Sequence, residues 1–153
     1  MSIKEKISSL GLSLPTAAAP VAAYVPAVKS GNLVFTAGQL PVVDGKLLKE
    51  GKVGSDVSAE DAKELAQICA LNALAAISLV ADLDQIERVV RVGGFVNCAS
   101  GFTAIPGVVN GASEFLIKIF GDVNGKHVRT AVGVAELPLN APVEVEVLVQ
   151  LKG

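Results

Sequence analysis

The order of elements readable in this chain predicts an α+β fold, with two helices packed on one face of a mixed sheet. Three observations carry that prediction. Two long segments repeat apolar residues every three or four positions, as core-facing helices do. The last two apolar segments alternate with a period of two, as strands do. Turn-forming groups punctuate the chain, at Ser30-Gly31-Asn32, Asp44-Gly45, Ser100-Gly101 and Asn124-Gly125. The resulting order is ββαβαββ, and its 153 residues suffice for one domain, 1–153, with a real core.

The elements follow in order. Residues 3–10 predict a short helix that Gly11 ends, and the Ala/Pro-rich stretch 16–23 predicts extended chain. A hairpin comes next, with strands at 24–29 and 33–43. Gly38 lies inside the second strand, where a glycine marks a bulge or a close approach to the backbone. Residues 46–56 read as loop. A helix starts at Ser58, where Ser58 and Asp61 resemble a capping box, and its apolar face is Ala62, Leu65, Ala66, Cys69, Ala73, Ala76, Ile77 and Val80. Residues 86–98 predict a long strand with Gly93-Gly94 at its middle. A second helix spans about 107–120, with Val108, Ala112, Phe115, Leu116 and Ile119 facing the core and Gly121 as a stop. The final strands are 128–137 and 143–151, joined by 138–142.

These last two strands alternate cleanly. Val128, Thr130, Val132 and Val134 share one face, and Arg129, Ala131, Gly133 and Ala135 share the other. In the second strand Val143, Val145, Val147 and Val149 share a face opposite Glu144, Glu146, Leu148 and Gln150. Each strand therefore offers a valine face for the helices to cover. Read as a neighbouring pair, they bring Arg129 to the same face as Glu144 and Glu146. Arg129 then has two readings. It forms a cross-strand ion pair, worth less than about 1 kcal/mol when exposed. Or, with small side chains beside it, the guanidinium has room to grip a carboxylate or phosphate with two bonds. The pattern leaves both open. Arg91 is a second cation and reads as part of a structural ion pair. His127, beside the Asn124-Gly125 turn, reads as an exposed turn residue.

Composition narrows the partners. The net charge is −2, no basic run is present and aromatics are 4%, so neither phosphate tracking nor base stacking has its usual residues, and no nucleic-acid partner is expected. No stretch approaches the ~18 apolar residues of a membrane span, and the first 14 residues lack the apolar core of a secretory signal. Cys69 and Cys98 fit no metal-ligand spacing and read as reduced, buried thiols of a cytoplasmic protein, with one disulfide as the alternative. Hydrophobic residues reach 51% against 18% charged, an excess that predicts surface hidden against copies of the same chain.

Three segments together resemble the reactive-intermediate deaminase family, RidA or YjgF, whose older name is L-PSP endoribonuclease. They are Gly31-Asn32-Leu33-Val34-Phe35-Thr36-Ala37-Gly38-Gln39-Leu40-Pro41, then Val109-Asn110 at the start of a helix, then Arg129 through Glu146. The resemblance covers most of the chain from Tyr24 onward and leaves residues 1–20 as an N-terminal extension. It implies a chorismate-mutase-like fold and a homotrimer in which three sheets enclose the axis in a barrel-like assembly. The ligand clefts then lie between subunits. The implied activity is hydrolysis of reactive enamines and imines, such as 2-aminoacrylate, to 2-oxo acids and ammonia, with no metal and no organic cofactor. By position, Arg129 binds the substrate carboxylate and Glu144 orients or activates water. Gly38, Tyr24 and Asn110 line the cleft.

The chain departs from the family at several points. Tyr24-Val25-Pro26 stands where Tyr-Ser-Gln is common. Ala131 stands where the position two after the arginine is often Cys or Ser, which removes a polar group beside the anchor. The segments 102–109 and 121–126 and the N-terminal extension are longer. These changes point to a divergent member with a more apolar pocket wall. Three functions compete: an imine deaminase, a trimeric protein that binds a small carboxylate without turnover, and an endoribonuclease. A single histidine and an acidic balance argue against the last.

Overall fold

The structure is a computed structural model that describes residues 1–20 and 22–153. Helix α1 (Ile3–Ser9) opens with a complete capping box, in which the Ser2 hydroxyl accepts from the Glu5 amide and the Glu5 carboxylate accepts from Ser2 N at 2.7 Å. Its Ile3 and Ile7 lie one turn apart and are both buried. Strands β1 (Ala27–Ser30) and β2 (Leu33–Thr36) form the expected hairpin. β2 ends at Thr36, earlier than the alternation predicts. The chain then makes a small separate hairpin, β3 (Val42–Val43) and β4 (Lys46–Leu47), around Asp44-Gly45.

Helix α2 (Ala59–Ile77) is capped by Ser58 Oγ, which accepts from Asp61 N at 3.1 Å. The Asp61 carboxylate turns to Lys49 instead, so the box is only half formed. The apolar face is buried through Ile77, and Val80 lies beyond the helix end and is exposed. Strand β5 (Ile86–Asn97) runs through the centre of the sheet. Helix α3 (Ile105–Asn124) buries all five predicted core residues, and Gly121 breaks its regular course with φ 84°. Strands β6 (Val128–Val134) and β7 (Val143–Leu151) complete the chain. The core forms where α2 and α3 cover one face of the sheet, with α1 resting against α3.

The sheet order is β1-β2-β7-β5-β6, and only β5 and β6 are parallel. The last two strands are therefore not neighbours, contrary to the expectation above. A strand–helix–strand passage returns its second strand parallel to the first, and here β6 comes to rest beside β5. β7 then takes the other side of β5, antiparallel.

The faces of β6 are also reversed from the expectation. Gly94 pairs with both Val145 and Ala131, and a Cβ on Gly94 would run into Val109 of α3. That row, and the row Val147–Val92–Arg129, lie on the helix face. The row Glu146–Gly93–Thr130 lies on the open face, as does Glu144–Phe95–Val132. On β7 the valines are buried as predicted. On β6 the residues turned outward are Val128, 67% exposed, and Val132, 39% exposed, while Arg129 and Ala131 turn toward α3. One open-face row crosses all five strands, Val28–Phe35–Leu148–Arg91–Val128, and is mostly apolar. The valine face of β6 thus belongs to an uncovered apolar surface.

Candidate functional site

Arg129 sits where β6 passes under α3. Its Nη1 donates to Asn110 Oδ1 at 2.8 Å and to Ser113 Oγ at 3.1 Å, and its Nη2 donates to the Pro106 carbonyl at 3.3 Å. Asn110 and Ser113 are three apart on α3 and so share one side of it. A guanidinium carries five N–H donors. The three bonds leave Nε–H and one Nη2–H, on neighbouring nitrogens, for a ligand. That fork suits a carboxylate held by two parallel bonds. Ala131, two residues along the same face, adds a methyl group and no donor. Arg129 makes no ion pair among the described residues, so the cross-strand pairing is not formed. Arg91 makes that kind of pair instead, with Glu146 at 3.4 Å, as its sequence position predicts.

His127 is not an exposed turn residue. It is half-buried, with Nδ1 2.7 Å from the Gly125 carbonyl and Nε2 2.9 Å from Ser113 Oγ. Burial holds it below its ordinary value of 6.5; the Gly125 hydrogen bond opposes that shift and the Arg129 charge adds to it. Ser113 was not legible as a site residue, although its spacing from Asn110 was the available signal.

The second group lies on the other face. β2 leaves its ladder with β7 after the pair Phe35–Leu148, and the Thr36 hydroxyl takes over by accepting from Val147 N at 3.0 Å. The ladder resumes at Gln39, which exchanges both backbone hydrogen bonds with Val145. Between them Gly38 comes so close to Glu144 that a Cβ would overlap the carboxylate. The close approach expected at Gly38 is thus present, and its partner is Glu144. Asn72 of α2 fixes this segment by donating to the carbonyls of Leu40 and Val42. Tyr24, Gly38 and Gln39 line a cleft of about 500 Å³ together with Pro15 to Pro20 and Asn72, and Glu144 is not part of its lining.

Glu144 is half-buried and, among the described residues, has no cation or hydrogen-bond donor as partner. Burial raises its carboxyl above the usual 4.5, and the charge of Glu146 adds to the effect. Within one chain, then, Arg129, Asn110 and Ala131 lie on the helix face and Glu144 and Gly38 on the open face, while Tyr24 lines the cleft beside the Gly38 segment. The sheet separates Arg129 from Glu144. Both cysteines are free thiols; Cys69 is buried as expected, whereas Cys98 is only partly buried. Among the described residues no helix is long and apolar enough to cross a membrane.

The family described as "YjgF/chorismate_mutase-like, putative endoribonuclease" matches residues 4–151. Protein TCP17 of Trypanosoma cruzi is 39% identical over 150 residues, covering 97% of this chain and 94% of that protein. A protein named 2-iminobutanoate/2-iminopropanoate deaminase, from Dermatophagoides farinae, is 30% identical over 141 residues, 92% of this chain and 95% of its own. The crystal structure of Atu1372 from Agrobacterium tumefaciens, whose function is described as unknown, superposes with a TM-score of 0.88 at 40% identity, covering 98% of this chain and 92% of that one.

Proposed function

The protein belongs to the YjgF/RidA family, and within that family we propose that it hydrolyses 2-imino acids and their enamine tautomers to 2-oxo acids and ammonia. The observation that carries this reading is the pair of half-sites: a guanidinium with a free carboxylate-binding fork, and a desolvated carboxylate without a partner. The name of the Dermatophagoides farinae relative supports the same chemistry.

On this reading the fork of Arg129 holds the substrate carboxylate, with Asn110 and Ser113 fixing its angle. Glu144 positions water at the imine carbon. Its raised proton affinity suits it to take a proton from that water and return one to the departing nitrogen. Water adds across the C=N bond, and the carbinolamine collapses to a C=O bond and ammonia. Imines hydrolyse in water unaided, so positioning alone supplies a useful acceleration.

The two half-sites belong together only if they come from different chains. In a head-to-tail ring the helix-face patch of one copy meets the open-side patch of the next. We infer the homotrimer that does this, with the row Val28–Phe35–Leu148–Arg91–Val128 covered inside it. A monomeric mass by light scattering at micromolar concentration would refute the assembly.

Ala131 favours a second reading, carboxylate binding without turnover, because no polar side chain stands at that position to assist. One experiment separates them. An amino-acid oxidase generates imino acids in place, and semicarbazide traps what remains. The deaminase reading expects wild-type protein to deplete the trapped product and Arg129→Ala to fail. Equal depletion by both proteins rejects it. A saturable thermal shift with 2-oxobutanoate but no depletion selects the binding reading.

A further inference from the structure

The Arg129 cluster contains one group that the proposed chemistry leaves unused, the imidazole of His127. We propose that His127 is a positioning residue of the anion site: acting through the Ser113 hydroxyl, it sets how strongly Arg129 and its neighbours attract a carboxylate. The inference rests on Arg129 being the carboxylate anchor and adds a control element to that site.

The geometry dictates the direction of each hydrogen bond. A carbonyl only accepts, so His127 Nδ1 carries a proton and donates to Gly125 O at 2.7 Å. In the neutral ring Nε2 is then an acceptor, and the Ser113 hydroxyl donates to it across 2.9 Å. The same oxygen accepts from Arg129 Nη1 at 3.1 Å. The Ser113 proton is thus committed to the imidazole and turned away from any ligand at the guanidinium. When His127 takes a second proton, Nε2–H donates to Ser113 Oγ instead. The hydroxyl proton is released and can donate to an anion at Arg129. A second positive charge also appears one hydroxyl away from the first.

The charges around His127 leave Arg129 in control. On α3, Glu114 is paired with Lys63, and Lys118 and Asp122 are exposed. On β5, Arg91 is paired with Glu146 and Arg88 reaches the Lys126 carbonyl. Arg129 is the one charge that shifts His127, and it does so downward, in the same sense as burial. A bound carboxylate offsets that charge and so favours the protonated ring. By linkage, the protonated ring favours the carboxylate equally. Affinity therefore rises as pH falls through the window below about 6.5, the ordinary histidine value.

His127 is the only histidine, so its Cε1 proton gives one unambiguous NMR titration. The probe is 2-oxobutanoate, whose carboxyl stays ionised throughout, and its uncharged amide is the control. Between about pH 8 and about pH 5.5 the wild-type dissociation constant is expected to tighten roughly three- to tenfold, with the His127 titration moving upward when the probe is present. His127→Gln keeps hydrogen-bonding capacity without titrating and should give a flat profile between the two pH values, whatever its absolute affinity. Ser113→Ala removes the hydroxyl relay and should weaken the pH dependence while leaving the histidine free to titrate and its charge in place, which covers the case in which His127→Gln folds poorly. A wild-type profile that is flat, or one that survives unchanged in both variants, overturns the inference. If Arg129→Ala binds 2-oxobutanoate as tightly as wild type, the carboxylate-anchor reading itself fails, and that result is distinct from a flat profile with intact Arg129-dependent binding.

Discussion

On the helix face, Arg129 is held by three hydrogen bonds from one helix, while on the other side Glu144 lies half-buried with no partner among the described residues. The cation is preorganised. Its angle is fixed before any ligand arrives, so little ordering cost remains at binding. The carboxylate is destabilised in its charged form, the condition of a group that gains by taking a proton. The first arrangement suits a gripping function and the second a reactive one. Gly38 links the contrast to the backbone: the missing side chain lets the segment just past β2 close over Glu144 and shield it partly from water.

The contrast can be broken at either end. The largest effect is expected from Arg129→Ala, which removes the whole grip and should lower kcat/KM by about 10³-fold in the semicarbazide assay. A loss under about threefold would remove the helix face from the site. Mixing tests whether the halves combine between chains. The Arg129→Ala and Glu144→Gln proteins, each expected to be nearly inactive, are unfolded together and refolded. Random pairing then rebuilds an intact interface about a quarter of the time, so about a quarter of wild-type activity should return. No recovery in verified mixed assemblies would mean that the halves do not meet across an interface.

Smaller effects sharpen the comparison. Gly38→Ala forces the Glu144 carboxylate aside and should cost about 1–3 kcal/mol in denaturant unfolding, with activity falling in parallel. Unchanged stability would show that Glu144 moves freely. The smallest effect concerns Glu144 itself. Its folded-state value is raised, so the folded protein holds more protons than the unfolded chain above about pH 4.5, and stability falls as pH rises through that window. Glu144→Gln should therefore melt about 1–2 °C higher than wild type near pH 7, with the difference vanishing below about pH 4.5. A variant that melts lower at neutral pH would mean that the carboxylate stabilises the fold after all.

Much of this was legible in the residues, and the failures have a common cause. The face of α2 through Ile77, the five core positions of α3, the valine face of β7 and the close approach at Gly38 follow from local spacing. The placement of β6 does not. Its alternation has valines on one side and mostly small residues on the other, and period two alone does not say which of two largely uncharged sides the helices take. The assumption that consecutive strands pair then put Arg129 beside Glu144. The intervening helix between β5 and β6 was the better guide, since a helical crossover implies parallel neighbours. Ser113 and His127 escaped for a different reason. Each is unremarkable in its own segment, and only the crossing of β6 beneath α3 joins them.

The sheet between Arg129 and Glu144 is a rigid wall, and no rotation of a side chain or swing of a loop carries one to the other. If the halves combine only between chains, working sites are counted by contacts rather than by copies. Specific activity would then fall on dilution even though every chain stays folded, and a cell making few copies would have almost none of the function.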